Sequence, residues 1–223
     1  MLSTLFTNRH GGVSSPPYAT NNLGLHVGDE RVAVRANRDS LASTFGPIVY
    51  MNQSHGDQVV VIDGFSDHEV NADALVTQEP NIALAVLVAD CIPLLLWEDA
   101  HSCVAAVHVG RRGLVNGVAL RAIEIMQLMG AGDIHALLGP SICGRCYEVG
   151  QDIHAEVADV FPVADSRTPA GSLALDLPRA LVNQLSDMGV LVTPSTICTV
   201  ENPDFYSYRR DGVTGRQAGV IRL

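Results

Sequence analysis

The chain has 223 residues, of which 47% are hydrophobic, and it carries a net charge of −10 from 24 acidic and 14 basic residues. This length and composition suffice for a large core, so we expect a single domain over residues 1–223. The acidic excess disfavours nucleic acid or an anionic membrane as the main partner. Every basic residue is arginine, which excludes a lysine Schiff base, a lysine-bound pyridoxal cofactor and a P-loop.

The cysteine content and the N-terminal residues indicate a cellular compartment. Five cysteines are an odd number, and the N-terminus lacks the charged and apolar regions of a secretory signal. No apolar run approaches the roughly 18 residues that a membrane-spanning helix requires. We therefore expect a cytoplasmic protein with no membrane partner, whose thiols are free or bound to metal.

Hydrophobic periodicity and turn residues predict an order of strands and helices. The predicted strands are 2–8, 48–51, 59–62, 73–76, 82–88, 94–97, 104–109, 134–138 and 195–200. The predicted helices are 30–44 with Asp29 as N-cap, 114–129, 151–161, and 177–188 with Asp176 as N-cap. Strands interspersed with a few helices, without strict alternation, favour an α+β fold over a doubly wound sheet.

The central stretch Ile82–Gly113 holds three short apolar runs bounded by Asp, Pro or Gly, which is typical of buried strands. Cys91 and His108 lie at the ends of these runs, and His55 precedes another predicted strand. Two imidazoles and one thiolate are a ligand set of catalytic zinc, with the fourth position open. Asp73 is a candidate to orient a ligating imidazole. The spacings match no compact zinc motif, so a small buried Cys91 and two core histidines are the alternative interpretation.

Several loops supply candidate substrate contacts. Arg9 precedes two glycines, which allow backbone and guanidinium to converge on an oxyanion, although a plain turn explains the same residues. His26 lies in a long loop and either lines a site or pins the loop. Arg112 lies in a glycine turn that leads into a helix N-terminus, which favours an anion. Near the C-terminus, Arg209 follows aromatic residues that suit stacking on a ring, with a surface turn as the alternative.

Cys143 and Cys146 form a C-x-x-C pair. A single such pair, with no second pair and no thioredoxin-like context, is weak evidence for a zinc or redox site. We interpret the pair as incidental and Cys198 as a core residue.

Nine blocks of the chain, in order, resemble the YfiH family. They are 7–14, 22–29, Gln53 with His55-Gly56, 73–77, 89–93, 108–113, 139–142, 146–149 and 205–211. Members of this family are described as polyphenol oxidase-like proteins, as purine nucleoside phosphorylases with adenosine deaminase activity, and as peptidoglycan editing factors. The family usually has Trp where Arg111 stands and Ala where Val109 stands, so a stacking role for that Trp is not expected here.

The resemblance implies a single-domain mixed-sheet sandwich with flanking helices. It also implies a zinc site of His55, Cys91 and His108, with copper as the other possible metal. The implied reactions are phosphorolysis of adenosine, inosine and methylthioadenosine, and deamination of adenosine, so the partners are a purine nucleoside and phosphate. The residues implied in catalysis are Cys91, His108, His55 and Arg9, and those implied in substrate binding are Arg9, His26, Arg112, Cys146, Tyr147 and Arg209.

Three other functions are compatible with these residues. The first is copper-dependent polyphenol oxidation, which also uses two histidines and a cysteine but usually adds an axial Met; the chain has only five Met and eight His. The second is a cysteine hydrolase acting on peptidoglycan precursors, with Cys91 as nucleophile and His108 as base. The third is a non-enzymatic binding role. A monomer and a homodimer are equally compatible with the sequence.

Overall fold

The computed structural model describes residues 2–100 and 102–223. The strands are β1 (Ser3–Phe6), β2 (Ile48–Asn52), β3 (Val59–Ile62), β4 (Val70–Asn71), β5 (Ala74–Thr77), β6 (Ala83–Val88), β7 (Ile92–Glu98), β8 (Val104–Val109), β9 (Ile134–Leu138), β10 (Asp165–Arg167), β11 (Leu173–Leu175), β12 (Leu191–Thr193) and β13 (Gln217–Arg222). The helices are α1 (Arg31–Phe45), α2 (Arg111–Asn116), α3 (Val118–Leu128), α4 (Gln151–Ala158), α5 (Leu177–Ser186) and α6 (Tyr208–Asp211).

Two mixed sheets form the inner layers of the molecule. One has five strands in the order β1-β13-β6-β2-β4, and the other has six in the order β12-β9-β7-β8-β5-β3. Helix α1 covers the outer face of the five-stranded sheet, and helices α2, α3 and α5 cover the outer face of the six-stranded sheet. This arrangement is the predicted α+β sandwich with flanking helices.

Strand β6 explains why the central stretch of the chain is hydrophobic without alternation. Its odd-numbered residues pack toward α1, whereas its even-numbered residues pack toward the other sheet. Strand β8 in the six-stranded sheet is likewise buried along its whole length. Because successive side chains point to opposite faces, a strand covered on both faces is apolar throughout. Such strands hold the polar residues at their ends in defined positions.

The helix boundaries follow local backbone chemistry. The predicted helix over 114–129 is two helices, α2 and α3, because Gly117 has a left-handed φ of 77° that interrupts the helical ladder. Asp176 caps α5 as predicted, and its carboxylate accepts the Arg179 N–H at 3.0 Å. The predicted cap of α1 is one residue off: Glu30 is the N-cap, and Asp29 accepts the Glu30 N–H at 2.8 Å. No helix in the described part of the chain is both long and apolar enough to span a bilayer.

Most predicted strands are confirmed, and those over 59–62, 104–109 and 134–138 have the predicted bounds. The predicted strand Ser195–Val200 is wrong, because this segment forms only an isolated bridge between Cys198 and Ser141. Strand β13 was not predicted, yet it lies between β1 and β6 inside the five-stranded sheet. Its polar and glycine residues obscure the alternation expected of a strand, and its partner strands lie far away in the sequence.

Candidate metal centre and substrate cavity

Three segments bring His55, Cys91 and His108 to one edge of the sandwich. His55 lies where the chain crosses from β2 in the five-stranded sheet to β3 in the six-stranded sheet, and Cys91 lies at the equivalent crossing from β6 to β7. Strands β2 and β6 are parallel neighbours, so both crossings start from the same edge. His108 lies on β8, paired with β7.

The ligand atoms of His55, Cys91 and His108 all lie within 4.8 Å of one another. The Cys91 Sγ is 3.7 Å from the His55 Nε2. The two imidazole rings meet edge to face, with ring centroids 4.7 Å apart and an interplanar angle of 77°. The predicted trio is therefore assembled in space.

Asp73 holds two of the three ligands in place. It immediately precedes β5, whose antiparallel pairing with β8 brings it beside His108. The fully buried Asp73 carboxylate accepts the His108 Nδ1–H at 2.8 Å, which directs the opposite ring nitrogen, Nε2, away from the carboxylate. The same carboxylate accepts backbone N–H groups from Ser54, His55 and Gly56 at 3.2, 2.9 and 2.8 Å. Such carboxylate–histidine pairs are typical of metal sites, where they fix the tautomer and the ring orientation.

Backbone conformation completes the geometry. His55 and Asp90 have left-handed φ values of 59° and 100°, the positive φ values among non-glycine residues in the described part of the chain. Such conformations are costly for residues other than glycine and cluster at functional sites. Gly110 lies against the trio: a Cβ at this position would be 2.9 Å from the His55 Cδ2 and 3.2 Å from the Cys91 Sγ. Only glycine therefore allows the turn between β8 and α2 to lie this close to His55 and Cys91.

The charges of the site are coupled. Burial disfavours the thiolate of Cys91, but the charge of His108 and hydrogen bonds from His108 and His55 outweigh it and lower the pKa of Cys91 to about 6. Burial likewise disfavours the imidazolium of His108, but the Cys91 thiolate and Asp73 raise the pKa of His108 to about 9. Burial of Asp73 is outweighed by its hydrogen bonds from His108, Gly56 and Ser54, which hold its pKa well below the usual range.

This donor set suits a single cation. Two imidazoles and one thiolate are N and S ligands that zinc accepts in catalytic sites with three protein ligands. The thiolate is already favoured by its neighbours, and one histidine is oriented by a buried carboxylate. The residues present therefore fit a zinc ion with one coordination position left for a substrate or water.

A cavity of about 440 Å³ lies directly above the trio. This volume falls in the usual range for small-molecule sites. Apolar side chains on its wall include Leu87, Val88, Ile142 and the ring of Tyr147. The polar and aromatic groups on its lining include His26, Asp90, Tyr208, Arg209 and Arg216.

Asp90 ties the cavity walls together beside Cys91. Its carboxylate accepts the Thr199 hydroxyl at 2.7 Å and the Arg209 backbone N–H at 2.7 Å. Its carbonyl oxygen accepts the Ile142 N–H at 2.9 Å. Three segments distant in sequence are thereby fixed to the segment that carries the candidate thiolate ligand.

The two cavity guanidinium groups are also positioned by the backbone. Arg209 donates to the Glu148 carbonyl at 2.7 Å and lies 5.1 Å from the centre of the Tyr147 ring. Arg216 donates to the Thr214 and Gly215 carbonyls at 3.0 and 2.9 Å. These two guanidinium groups give the cavity two sites for an oxyanion. Burial and the charge of Arg216 lower the pKa of His26, so its imidazole is neutral at pH 7.

The structure brings His26, Tyr147 and Arg209 to the cavity but not the other predicted substrate contacts. Arg9 donates to the Ala19 and Pro203 carbonyls instead of lining the cavity. Arg112 is exposed on α2 and is also absent from the lining.

Cys146 does not line the cavity either, although Tyr147 beside it does. Its sulfur meets those of Cys143 and Cys198, with all three within 4.8 Å of one another. Cys198 is buried, as predicted for a core residue. The sequence did not indicate that Cys198 lies beside the C-x-x-C pair, where the three cysteines are close enough to hold a metal ion.

Sequence reasoning missed Arg216 and the role of Gln53. Arg216 lies just before the unpredicted strand β13, so no element placed it near the site. Gln53 was recognised only as part of a motif; its side-chain amide exchanges two 2.8 Å hydrogen bonds with the backbone of Leu87. That pattern mimics strand pairing and secures the end of β6 before Cys91. The proximity of Gln53 to His55 was the only available signal.

Fold and site together define a class: an α+β sandwich whose sheet crossings place two imidazoles and one thiolate at the base of a ligand-sized cavity. Residues 3–223 match the family model described as multi-copper polyphenol oxidoreductase laccase, and the chain belongs to this family. Solved structures agree with this assignment. A Neisseria meningitidis protein of family DUF152 superposes with a TM-score of 0.90 at 39% identity, covering 100% of this chain and 94% of that one. YfiH of Bacillus licheniformis superposes with a TM-score of 0.92 at 30% identity, covering 100% and 92%.

Curated relatives carry a different functional name. A protein of Streptomyces coelicolor named purine nucleoside phosphorylase is 47% identical, over 98% of this chain and 94% of its own length. A protein of Corynebacterium glutamicum with the same functional name is 44% identical, over 98% and 93%. The family description and the names of these relatives thus point to two different chemistries.

Proposed function

We propose that the protein is a zinc-dependent purine nucleoside phosphorylase that also deaminates adenosine, acting as one catalytic domain. The observation that carries this proposal is the position of His55, Cys91 and His108 at the base of a cavity that also presents two guanidinium groups and two tyrosine rings. A nucleoside and phosphate together need these features: a surface for a flat base, cations for an oxyanion and a polar group at the reacting centre. The names of the relatives at 44–47% identity support the same reaction.

The aromatic and apolar groups of the cavity suit a purine. Tyr147 is half-buried on one wall, and Tyr208 is exposed at the opening. Flat rings stack on such side chains with little loss of conformational entropy. Leu87 and Ile142 add apolar surface to the lining. In this proposal the base lies against these rings and apolar side chains, and phosphate lies against the guanidinium groups of Arg209 and Arg216.

Arg209 and Arg216 bind phosphate in the proposed reaction. A phosphate oxygen forms a bond to the anomeric carbon of the ribose as the bond from that carbon to the base nitrogen breaks. The electron pair of the broken bond stays on the base, which takes up a proton. Guanidinium groups held by backbone carbonyls provide charge without reorganisation, which is the property that stabilises such a transition state.

The proposed metal site adds the remaining chemistry. Zinc, when bound, supplies positive charge and Lewis acidity at one open coordination position. His55, Cys91 and His108 hold it, and Asp73 orients His108. The neutral imidazole of His26, also on the cavity lining, is suited to carry the proton that deamination or base departure requires.

The test is product analysis with purified protein and adenosine, with and without phosphate and with and without a chelator. We expect adenine and ribose 1-phosphate only when phosphate is present, and inosine whether or not phosphate is present. After chelation and dialysis we expect none of these products. Re-addition of zinc restores both the phosphorolysis and the deamination. Formation of none of these products with the zinc-loaded protein would overturn the proposal.

A matched pair of variants separates the metal from general damage. His55→Ala removes one predicted ligand on an exposed loop, so we expect the folded variant to lose bound metal and both activities. Cys103→Ala changes a buried cysteine outside the trio, and it retains both. Full activity in a metal-free His55→Ala protein would contradict the mechanism.

A second candidate function follows from the Cys91, His108 and Asp73 contacts. A thiol, an imidazole and a carboxylate in series are also the arrangement of a cysteine hydrolase, such as one acting on peptidoglycan precursors. Chelation separates the two functions, because removal of metal abolishes the phosphorylase but frees the thiolate to attack an amide. Copper-dependent polyphenol oxidation, which the family description names, would instead require copper to restore the chelated protein.

A further inference from the structure

A second cluster of possible metal ligands lies outside the cavity lining. Cys143 and Cys146 belong to the segment that follows β9, and Cys198 belongs to the segment that follows β12. The three sulfur atoms lie within 4.8 Å of one another, and all three cysteines are free thiols. None of them lies within the trio that holds the candidate catalytic cation.

Backbone hydrogen bonds preform this cluster. The Cys143 N–H donates to the Cys198 Sγ at 3.4 Å. The Cys143 carbonyl oxygen accepts the N–H groups of Cys146 and Tyr147 at 3.0 and 3.1 Å, which closes the C-x-x-C turn. These bonds hold Cys198 and the C-x-x-C turn together before any cation binds.

The two segments are also paired independently of the sulfur atoms. The Ser141 N–H donates to the Ile197 carbonyl at 3.3 Å, and the Thr199 N–H donates to the Ser141 carbonyl at 3.1 Å. Cys198 therefore sits opposite the C-x-x-C turn by backbone pairing alone. A ligand set delivered by two fixed segments requires little ordering when a cation binds.

The size of the cluster matches a thiophilic cation. A Zn–S distance of roughly 2.3 Å in a tetrahedral site places ligating sulfur atoms about 3.8 Å apart. Sulfur atoms already within 4.8 Å reach this spacing through small side-chain rotations. Glu201 adds negative charge at the edge of the cluster, with its Oε1 3.5 Å from the Cys146 Sγ.

We propose that Cys143, Cys146 and Cys198 form a second metal site that binds Zn²⁺ as three thiolates. Binding forms three Zn–S bonds and releases the thiol protons to solvent. Structural zinc sites have four protein ligands; the Glu201 carboxylate, 3.5 Å from the Cys146 Sγ, is in position to supply the fourth, and this cluster lies away from the cavity lining. The second ion is therefore structural, and this proposal does not depend on the proposed phosphorylase activity.

The consequence of this site concerns the cavity walls. The C-x-x-C segment carries Ile142 and Tyr147, both on the cavity lining. The other segment carries Thr199, whose hydroxyl donates to Asp90 beside Cys91. A cation shared by the two segments fixes these walls relative to each other.

Metal stoichiometry of variants tests this site. We expect the zinc-loaded wild-type protein to hold two ions per chain, Cys143→Ala one, His55→Ala one, and the double variant none. Cys103→Ala is the matched control and retains two, because this buried cysteine belongs to neither cluster. One ion in the wild-type protein that is retained by Cys143→Ala and lost by His55→Ala would overturn the proposal.

A measurement on the wild-type protein covers the case in which Cys143→Ala fails to fold. Metal-free reduced protein is titrated with zinc and then alkylated, and the protected cysteines are identified by peptide mass analysis. We expect joint protection of Cys143, Cys146 and Cys198 as the second equivalent is bound. Alkylation of these three at the same rate with and without zinc would contradict the proposal.

Discussion

The two sulfur-containing clusters use cysteine in different ways. Cys91 joins two histidines at the base of an open cavity, and a buried carboxylate, Asp73, orients one of them. Cys143, Cys146 and Cys198 meet one another, a backbone donor and the Glu201 carboxylate, away from the cavity lining. In the two proposed sites, the first cluster leaves a coordination position open toward a substrate, whereas the second holds two segments together.

Electrostatics separates the two clusters as clearly as geometry does. Neighbouring imidazoles lower the pKa of Cys91 to about 6 despite burial. In the other cluster, burial and the adjacent sulfurs raise the pKa of Cys143. The same side chain is therefore charged in one place and neutral in the other when no cation is bound. The charges and hydrogen-bond donors around each cysteine therefore determine its pKa and hence its reactivity.

The largest expected effect comes from Asp73→Ala, which removes the carboxylate that distinguishes the first cluster. The change leaves buried His108 and three backbone N–H groups without their acceptor, so we expect about 3–5 kcal/mol of lost stability and loss of one bound ion. Denaturant unfolding and metal analysis measure the two effects. The control is Asp57→Asn, a partly exposed carboxylate paired with Arg121, for which we expect less than about 1 kcal/mol. Equal effects of the two substitutions would remove the special role of Asp73.

A smaller effect is expected from Gly110→Ala, which crowds the first cluster without removing a ligand. The added Cβ would approach His55 and Cys91 to 2.9 and 3.2 Å, so the ligands must shift. We expect zinc affinity of that site to fall about 10–100-fold, as when metal ligands are misoriented, with the second site unchanged. Competition with a chromogenic chelator measures this. Gly132→Ala, where the new Cβ meets nothing within 4 Å, is the control and should leave both affinities unchanged.

Thiol reactivity sharpens the electrostatic side of the comparison. In metal-free protein at pH 7 we expect Cys91 to be alkylated about tenfold faster than Cys143 or Cys146, because its thiolate is already populated. A lowered pKa means that this advantage is present above about pH 6 and is lost as the pH falls through that value. Mass analysis of timed samples gives the rates. Faster alkylation of Cys143 than of Cys91 would contradict the proposal that Cys91 is the charged thiol and Cys143 the neutral one.

The smallest expected effect concerns the cavity opening above the first cluster. Tyr208 is 63% exposed on the lining, so Tyr208→Ala removes one stacking surface and should raise KM for adenosine about fivefold, equivalent to about 1 kcal/mol. KM for phosphate should change little, since the proposed phosphate contacts are Arg209 and Arg216. Tyr208→Phe retains the ring and should behave as wild type. A change in the KM for phosphate alone would contradict the proposed stacking of Tyr208 on the base.

The sequence allowed prediction of the features that depend on local pattern. Strand β8 and the predicted metal ligands, His55, Cys91 and His108, were identified because apolar runs, turn residues and the family motifs coincide there. The sequence pattern failed where long-range pairing decides the structure. Strand β13 is held between β1 and β6, and its own residues carry little alternation.

The cysteine cluster shows the same limit for a site. Cys198 joins Cys143 across 55 residues, a spacing that no compact metal motif contains. Motif membership predicted that Arg9 and Arg112 bind an anion; both lie outside the cavity lining, and that role stays a prediction. Contacts between residues far apart in sequence must be read from the structure.

The buried location of Asp73 also has an evolutionary consequence. Asp73, which orients residues of the proposed metal site, lies in the interior of the sandwich, whereas Tyr208 and much of the cavity opening belong to loops. Substitutions in those loops can alter which small molecule enters the cavity, while the Asp73 carboxylate keeps His55 and His108 in place. A lineage of such proteins can therefore diversify its substrates around one unchanged reactive centre.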